Sequence, residues 1–278
     1  MEKLFNFADL YLSRRLEHTE GLSSAAFVET RAKTYPHSNA GWTRIGGTLV
    51  MFDGIDSPIT QTFGLGLFQE PTPHDFEELE AYYFERSSAI NHEVSPHADP
   101  LTLSLLNTWH YQPIELTNLL YRPLQKGQKL GSSWNESLTI KICSPQDIPV
   151  WTDTIVQGWS EFQEFQPFLA ELGQVNAQRK DCILFLATLT ERPIAAGMLS
   201  IHDGVALLAG ASTVPSGRRQ GAQLALLESR LNYALEQGCD LAMMGAAPGS
   251  ASQRNAERNG FKIAYTRIKW NKPFKDKK

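Results

Sequence analysis

Three apolar runs follow one another between Cys182 and Thr213, "CILFLATL", "PIAAGMLSI" and "VALLAGAST", separated only by Glu191-Arg192 and by His202-Asp203-Gly204. Aliphatic runs this short, joined by tight turn formers, predict consecutive antiparallel strands. Then the period changes. From Gly221 onward Leu224, Leu227, Leu231, Ala234 and Leu235 fall on one helical face, with Glu228, Arg230, Glu236 and Gln237 elsewhere, and Gly238 stands where such a helix would end. The short buried run "DLAMMGA" follows. A run of strands that hands over to a helix and then to another strand reads as α/β.

The flanks extend the pattern. "LTIKIC" alternates like a strand, and Ser144-Pro145-Gln146-Asp147 supplies a cap, an early proline and an acid for a helix reaching about Gly158. "WSEFQEFQPFLAEL" then brings Trp159, Phe162, Phe165 and Phe168 together around Pro167. At the far end "SASQRNAERN" reads as a polar helix stopping at Gly260, and "FKIAYTRIKW" as a last strand, giving the order β-α-β-β-β-α-β-α-β over residues 138–270. Upstream, "RPLQKGQKLGSSWNES" lacks either period and reads as a linker. With 278 residues to house, two domains are expected, residues 1–124 and 138–278, joined by a linker at 125–137.

Bulk properties exclude several classes. No apolar stretch approaches the roughly 20 residues that span a bilayer, and Met1-Glu2-Lys3 leads into the amphipathic "LFNFADLYLSRRL" instead of a uniform apolar core. A cytoplasmic protein without membrane partner is expected. A net charge of −4 argues against nonspecific attraction to nucleic acid, and no nucleic-acid partner is expected. Cys143, Cys182 and Cys239 are odd in number, widely spaced and set among apolar residues, which predicts reduced thiols and neither a disulfide framework nor a zinc site.

The stretch "SGRRQGAQLALLESR", residues 216–230, sets Arg218, Arg219 and Gly221 directly ahead of the amphipathic run. A helix start carries unpartnered backbone N–H groups and partial positive charge, so it holds anions. Gly221 admits close approach to the backbone, and the arginines add full charge. Taken alone, the loop reads rather as a capped helix with a solvated basic turn. With its preceding strand, "TVPSGRRQGAQLALL" and, downstream, "SQRNAERNGF", the segment from Leu138 to Trp270 resembles the GNAT N-acetyltransferase superfamily. The resemblance implies an α/β fold with a mixed, mainly antiparallel sheet flanked by helices. It implies acetyl-CoA as cosubstrate, its pyrophosphate cradled by amides around Arg219, Gln220, Gly221, Ala222, Gln223 and Leu224, with Arg218 beside them. Val214 would end a strand that splays from its neighbour to pair with the pantetheine arm. Asn255 matches a position that contacts the coenzyme arm, and Arg258 would reach its phosphates, although both also suit an exposed helix face. Gly210 marks either a bulge that begins the splay or a close packing contact. Gln223 departs from the small residue the family favours, which implies a variant site.

The expected activity is acetyl transfer to an unidentified primary amine, on a small molecule or a peptide, by direct attack in a ternary complex. The resemblance would place a carboxylate base on the strand before the loop and a tyrosine acid in the polar helix. "VALLAGAST" holds no Asp or Glu, and Ala256 stands at the tyrosine's place, so no catalytic residue is assigned. The rival reading is therefore a noncatalytic CoA-binding or interaction protein. Ser212 and Thr213 either line the acyl pocket or satisfy local backbone. Glu161 and Glu164 either orient an amine or are solvated charges, and Tyr265 is either near the site or packed in a strand. Trp159, Phe162 and Phe165 are candidates for the acceptor wall, with core packing as the alternative.

The first half lays beside the second: Leu79-Glu80 over Leu227-Glu228, and Trp109-His110-Tyr111 over Asn259-Gly260-Phe261 with a gap of two. Both run helix, strand, proline-bearing turn, helix, aromatic, strand, so residues 1–124 resemble a degenerate GNAT-like repeat, chance similarity of amphipathic segments being the alternative. Its counterpart of the phosphate loop, "GLFQEPTPHDFEELE", is acidic and twice interrupted by proline, so one coenzyme per chain is expected. "HEVSPH" has histidines five apart with Pro96 between them, the wrong spacing for a helical metal site, and no metal is expected. Gly64-Leu65-Gly66 lacks a glycine-bearing helix start behind it and carries no nucleotide signal.

Overall fold

Asp9 starts the first helix, α1 (Leu10–Thr34), by accepting the Leu12 N–H on its side chain at 2.8 Å. The architecture is that of a computed structural model, which describes residues 8–131, 135, 137–161 and 163–275. After α1 come β1 (Gly41–Ile45), β2 (Thr48–Phe52) and β3 (Thr62–Phe63), then α2 (Pro73–Phe84), β4 (Ile90–Val94), α3 (Pro100–Thr108) and β5 (Gln112–Pro123). The second run holds β6 (Leu138–Ile142), α4 (Ile148–Gly158), α5 (Gln166–Ala177), β7 (Cys182–Leu189), β8 (Arg192–His202), β9 (Val205–Thr213) and α6 (Ala222–Glu236). It closes with β10 (Leu241–Ala246), α7 (Ala251–Arg258) and β11 (Lys262–Lys272). Among the described residues no helix is long and apolar enough to cross a membrane.

Two compact units form, one from residues Met1–Arg122 with Met243–Lys278, the other from Pro123–Ala242. The first of these units is not a contiguous stretch, whereas boundaries at 124 and 137 cut the chain into contiguous ones. The cause lies in β11, which reads in sequence as the last strand of the second half. It pairs antiparallel with β4, Glu93 opposite Lys269, and with β5, Thr117 opposite Arg267.

In the discontinuous unit the strands run in the order β1-β2-β3-β4-β11-β5, with β3 and β4 parallel. Phe76, Leu79 and Tyr83 of α2 and Leu106 of α3 are buried against Val50 of β2 and Ile90 of β4, and Trp270 of β11 joins that cluster. Arg267 of β11 is what Glu17 and Glu20 of α1 and Glu93 of β4 converge on, at 3.2, 2.8 and 2.8 Å. Tyr265 donates its hydroxyl to Glu17 at 3.1 Å, and burial lifts the Glu17 carboxyl to about 7. Such a cluster is tied together by charge as well as by apolar area, and it draws the C-terminal strand into the unit that holds α1.

The continuous unit has the antiparallel order β6-β7-β8-β9. Helices α4 and α6 pack on β8 and β9. Trp151 of α4 is fully buried, and its indole donates to the Phe185 carbonyl at 3.1 Å. The helix face read as polar is corrected at two positions: Glu228 and Arg230 of α6 are both buried. Arg230 lies one turn from Leu226 and one from Ala234, on a buried line of the helix. The three thiols are free, with Cys239 buried and Cys143 and Cys182 only partly so.

Candidate functional site

Residues 214–221 connect β9 to α6 inside the continuous unit. Val214 is buried and donates its N–H to the Ile194 carbonyl at 2.9 Å, which ties the strand's end to β8. Pro215 then opens a 3-10 turn closed by Gly217 N–H to Val214 O at 2.8 Å. Gly217 answers to packing, since a Cβ there would lie 2.6 Å from the Ile194 Cβ. Gly221 answers to conformation: its φ is 84°, and a Cβ would meet only Leu138 Cδ1 at 3.7 Å. Arg219 also takes a positive φ, 64°.

These two left-handed residues lie within the run of amides that leads into α6. The first helical hydrogen bond of α6 is Ala225 N–H to Gly221 O at 3.1 Å. Among the described residues, no hydrogen bond is recorded from the N–H groups of Arg219, Gln220, Gly221, Ala222, Gln223 or Leu224. No side chain caps the helix either, because Gly221 is the N-cap. A 15-residue helix therefore presents its positive end with its donors open. Arg218, Arg219 and Gln220 are exposed around it. Arg218 pairs with Glu161 at 3.1 Å, both side chains largely in solvent.

Gln223, the departure from the family pattern, turns back toward β9 and donates to Thr213 Oγ1 at 2.6 Å. Its bulk leaves the helix start clear. Ser212 is buried with its hydroxyl 3.5 Å from the Ile155 carbonyl, and a side chain at Gly158 would overlap it. Both hydroxyls thus have protein partners. Gly210 has φ 57° and sits in a bulge: Ala196 pairs with Ser212 but Met198 with Ala209, so β9 carries one extra residue there. Arg230 donates from beneath to the Met198 carbonyl at 3.1 Å. Its burial, with carbonyls as recorded partners, lowers its pKa to about 10.

Trp159 caps the C-terminus of α4, its N–H meeting Ile155 O at 3.1 Å. Phe162 and the side chain of Phe165 lie outside the described residues. Glu161 and Glu164 are exposed. Asn255 and Arg258 fall on α7, in the discontinuous unit, where Asn255 O accepts from the Asn259 side chain at 2.7 Å and Arg258 is exposed. Tyr265 belongs to that unit as well, buried against Glu17, which resolves it as a core residue. Arg230 and the Glu17 cluster were missed in sequence. For Arg230 the buried neighbours Leu226 and Ala234, each four residues away, were the available signal.

In the discontinuous unit the helix start after β3 is finished differently. Thr72 Oγ1 accepts the Asp75 N–H at 3.2 Å, and Asp75 Oδ2 accepts the Thr72 N–H at 2.7 Å. "HEVSPH" is spent on structure: His92 is buried with Nδ1 2.7 Å from Thr62 Oγ1, burial holding its pKa down to about 3. Glu93 meets Arg267 and Lys269. Gly64 and Gly66 serve turns, with Leu67 N–H to Gly64 O at 3.0 Å and Asp99 N–H to Gly66 O at 2.7 Å.

Solved structures of the same architecture cover most of the chain. A GCN5-related N-acetyltransferase from Kribbella flavida superposes with a TM-score of 0.59 at 19% identity, over 90% of this chain and 95% of that one. The fold is that of the GNAT acetyltransferases. A second GCN5-related N-acetyltransferase, from Sphaerobacter thermophilus, gives 0.58 at 13% identity over 92% and 94% of the two chains. A tandem GNAT protein from the clavulanic acid biosynthesis pathway gives 0.56 at 13% identity over 84% and 82%. No family model matches the chain, and no curated protein matches it in sequence. Likeness at these identities concerns the GNAT fold, on which many chemistries are built.

Proposed function

We propose that the chain is an acetyl-CoA-dependent N-acetyltransferase that passes an acetyl group to a primary amine by direct attack in a ternary complex. The observation that carries the reading is the set of open amides at residues 219–224 ahead of α6. A diphosphate matches them: two adjacent anionic groups, a run of backbone donors without a protein partner, and exposed arginines on the rim. The acetyl thioester supplies the activated acyl carbon. The chain binds and orients it, and orientation alone provides a large part of such an acceleration. The bulge at Gly210 interrupts the regular pairing of β9 with β8 just before the loop, which suits a backbone that must follow an extended ligand. In this reading Asn255 and Arg258 add coenzyme contacts, and Trp159, Phe162 and Phe165 contribute to the acceptor side.

The second reading, a noncatalytic CoA-binding protein, draws on Val205–Thr213 lacking a carboxylate and on Ala256 occupying the place of an acid. Calorimetric titration with acetyl-CoA and desulfo-CoA, combined with thiol release over a panel of amines, separates the two. Binding with amine-dependent thiol release is expected. Binding without release across the panel favours the noncatalytic protein, and absence of binding by either coenzyme overturns both.

A further inference from the structure

Strands β8 and β9 lose register at one point. Ala196 pairs with Ser212 and Met198 with Ala209, so Gly197 faces both Gly210 and Ala211. Such a bulge disrupts the ladder locally. Side chains from two helices meet the carbonyls beside it. Trp151 of α4 points its indole N–H toward the Gly197 carbonyl at 3.4 Å, beyond its closer bond to Phe185. Arg230 of α6 donates Nη1 to the Met198 carbonyl at 3.1 Å, and Nε to the Leu226 carbonyl of its own helix at 3.1 Å.

A glycine makes the room for the guanidinium. A Cβ on Gly197 would lie 3.2 Å from Arg230 Nη1, 3.3 Å from its Cζ and 3.4 Å from the Ala211 Cβ. Arg230 is 4% exposed, and among the described residues its recorded partners are carbonyls, with no carboxylate against it. Burying a cation without a counter-charge is expensive. An apolar side chain, like Leu226 and Ala234 on the same line of α6, would pack there without that cost. What the arginine adds is a stiff, planar donor fixed at the bulge.

The bulge lies close to the open helix end. Gly210 and Ala211 stand just ahead of Thr213, the last residue of β9, and Gln223 in the first turn of α6 donates to Thr213 Oγ1 at 2.6 Å. The end of β9 and the amides of residues 219–224 are therefore neighbours, and an extended chain that leaves a diphosphate there toward the sheet runs along the last residues of β9. Given the coenzyme reading above, we infer that Arg230 is a positioning residue: it holds the bulge at Gly210 and Ala211 in the form that receives the pantetheine arm of the coenzyme. Arg230 acts through the backbone of β8 and β9 and touches no part of the ligand. Without it the arm loses its track, while the diphosphate keeps its amides.

ADP and dephospho-CoA share the adenosine diphosphate and differ by the pantetheine arm, so their affinity ratio, measured by calorimetry on the full chain, isolates what the strand contributes. The wild-type chain is expected to bind dephospho-CoA about tenfold tighter than ADP, or more. Arg230→Met is expected to remove most of that ratio and to leave ADP affinity within about twofold of wild type. Gly197→Ala, which crowds the guanidinium and keeps its charge, is expected to lower the ratio in the same direction with an unfolding midpoint close to wild type, so the test survives if Arg230→Met fails to fold. Hydrogen exchange without ligand is expected to quicken in both variants at Gly210 and Ala211 more than at Ala206 and Leu207 of the same strand. A ratio that the variants leave unchanged, an equal loss for ADP and dephospho-CoA, or exchange at the bulge no faster than along the rest of β9 each overturns the inference. Absence of ADP and dephospho-CoA binding by the wild-type chain overturns the coenzyme reading instead, and the exchange rates then judge the hold on the bulge by themselves.

Discussion

Helices α2 and α6 each follow a strand and a glycine-bearing turn, yet their first turns are finished in opposite ways. At α2 the sequence fills the helix end with its own groups, since Thr72 and Asp75 exchange hydrogen bonds and Pro73 has no N–H to offer. At α6 the N-cap is a glycine, and the donors ahead of it stay open. The same supersecondary step therefore yields a sealed cap in one unit and a candidate anion site in the other. Two residues, the N-cap and the one three positions on, make the difference, and the fold permits either. The acidic, proline-broken character of "GLFQEPTPHDFEELE" signalled the sealed end, and Asp75 is the group that does the sealing.

The sealed unit is also the one whose charges are met internally, and removing Arg267 breaks that self-sufficiency most severely. Arg267→Met leaves Glu17, Glu20 and Glu93 facing one another without their shared cation. A loss of about 3–5 kcal/mol is expected in urea unfolding. Hydrogen exchange should report it in β4 and β11 before β7 and β8. A loss under about 1 kcal/mol would mean that the cluster is solvated and contributes little.

Gly221→Glu attacks the open end instead. The substitution imposes a side chain on a φ of 84° and sets a carboxylate among the six amides. Coenzyme affinity is expected to fall by about a hundredfold or more, while unfolding shifts by only about 1 kcal/mol. Unchanged affinity in calorimetry would remove the loop from the site.

Much of this contrast was legible in the sequence because it is local. The meander, the change of period at Gly221 and the cap at Ser144 to Asp147 each depend on neighbours within a few residues, whereas Gly210 left bulge and packing equally open and only its pairing with β8 decides between them. What was not legible depends on pairing across long separations. Arg267 finds Glu17 some 250 positions away, and no period in "FKIAYTRIKW" says that β4 and β5 are its partners. Arg230 was misread for a subtler reason: a charged residue on a helix is solvated by default, and only the carbonyls of Leu226 and Met198 make its burial tolerable.

The units should also answer pH in opposite directions. Burial raises Glu17 from 4.5 to about 7, so between those values the folded state holds a proton that the unfolded chain releases. Its contribution to stability is complete below pH 4.5 and declines as pH rises toward 7, with a slope approaching 1.4 kcal/mol per pH unit. In the continuous unit burial tends to raise Asp181, but hydrogen bonds from His202 and Arg179 prevail and hold it well below the usual carboxylate range. That contribution is present above pH 3.8 and lost as pH falls. Exchange protection measured at pH 5 and pH 7 should therefore fall in β4 and stay level in β7. Glu17→Gln should flatten the decline, and a decline that survives it would assign the effect elsewhere.

The finest cut through the comparison is Asp75→Ala, which opens the sealed helix without altering its fold. The variant loses the carboxylate that accepts from Thr72 at 2.7 and 2.8 Å, and a cost of about 1 kcal/mol is expected. It does not turn α2 into a second α6. Pro73 still lacks a donor, no arginine flanks the turn, and the amides freed at its start are fewer than those at residues 219–224. Calorimetric stoichiometry should remain one coenzyme per chain. A second equivalent binding to Asp75→Ala would show that a single carboxylate is all that separates the two ends, and that the arginines around Gly221 are dispensable.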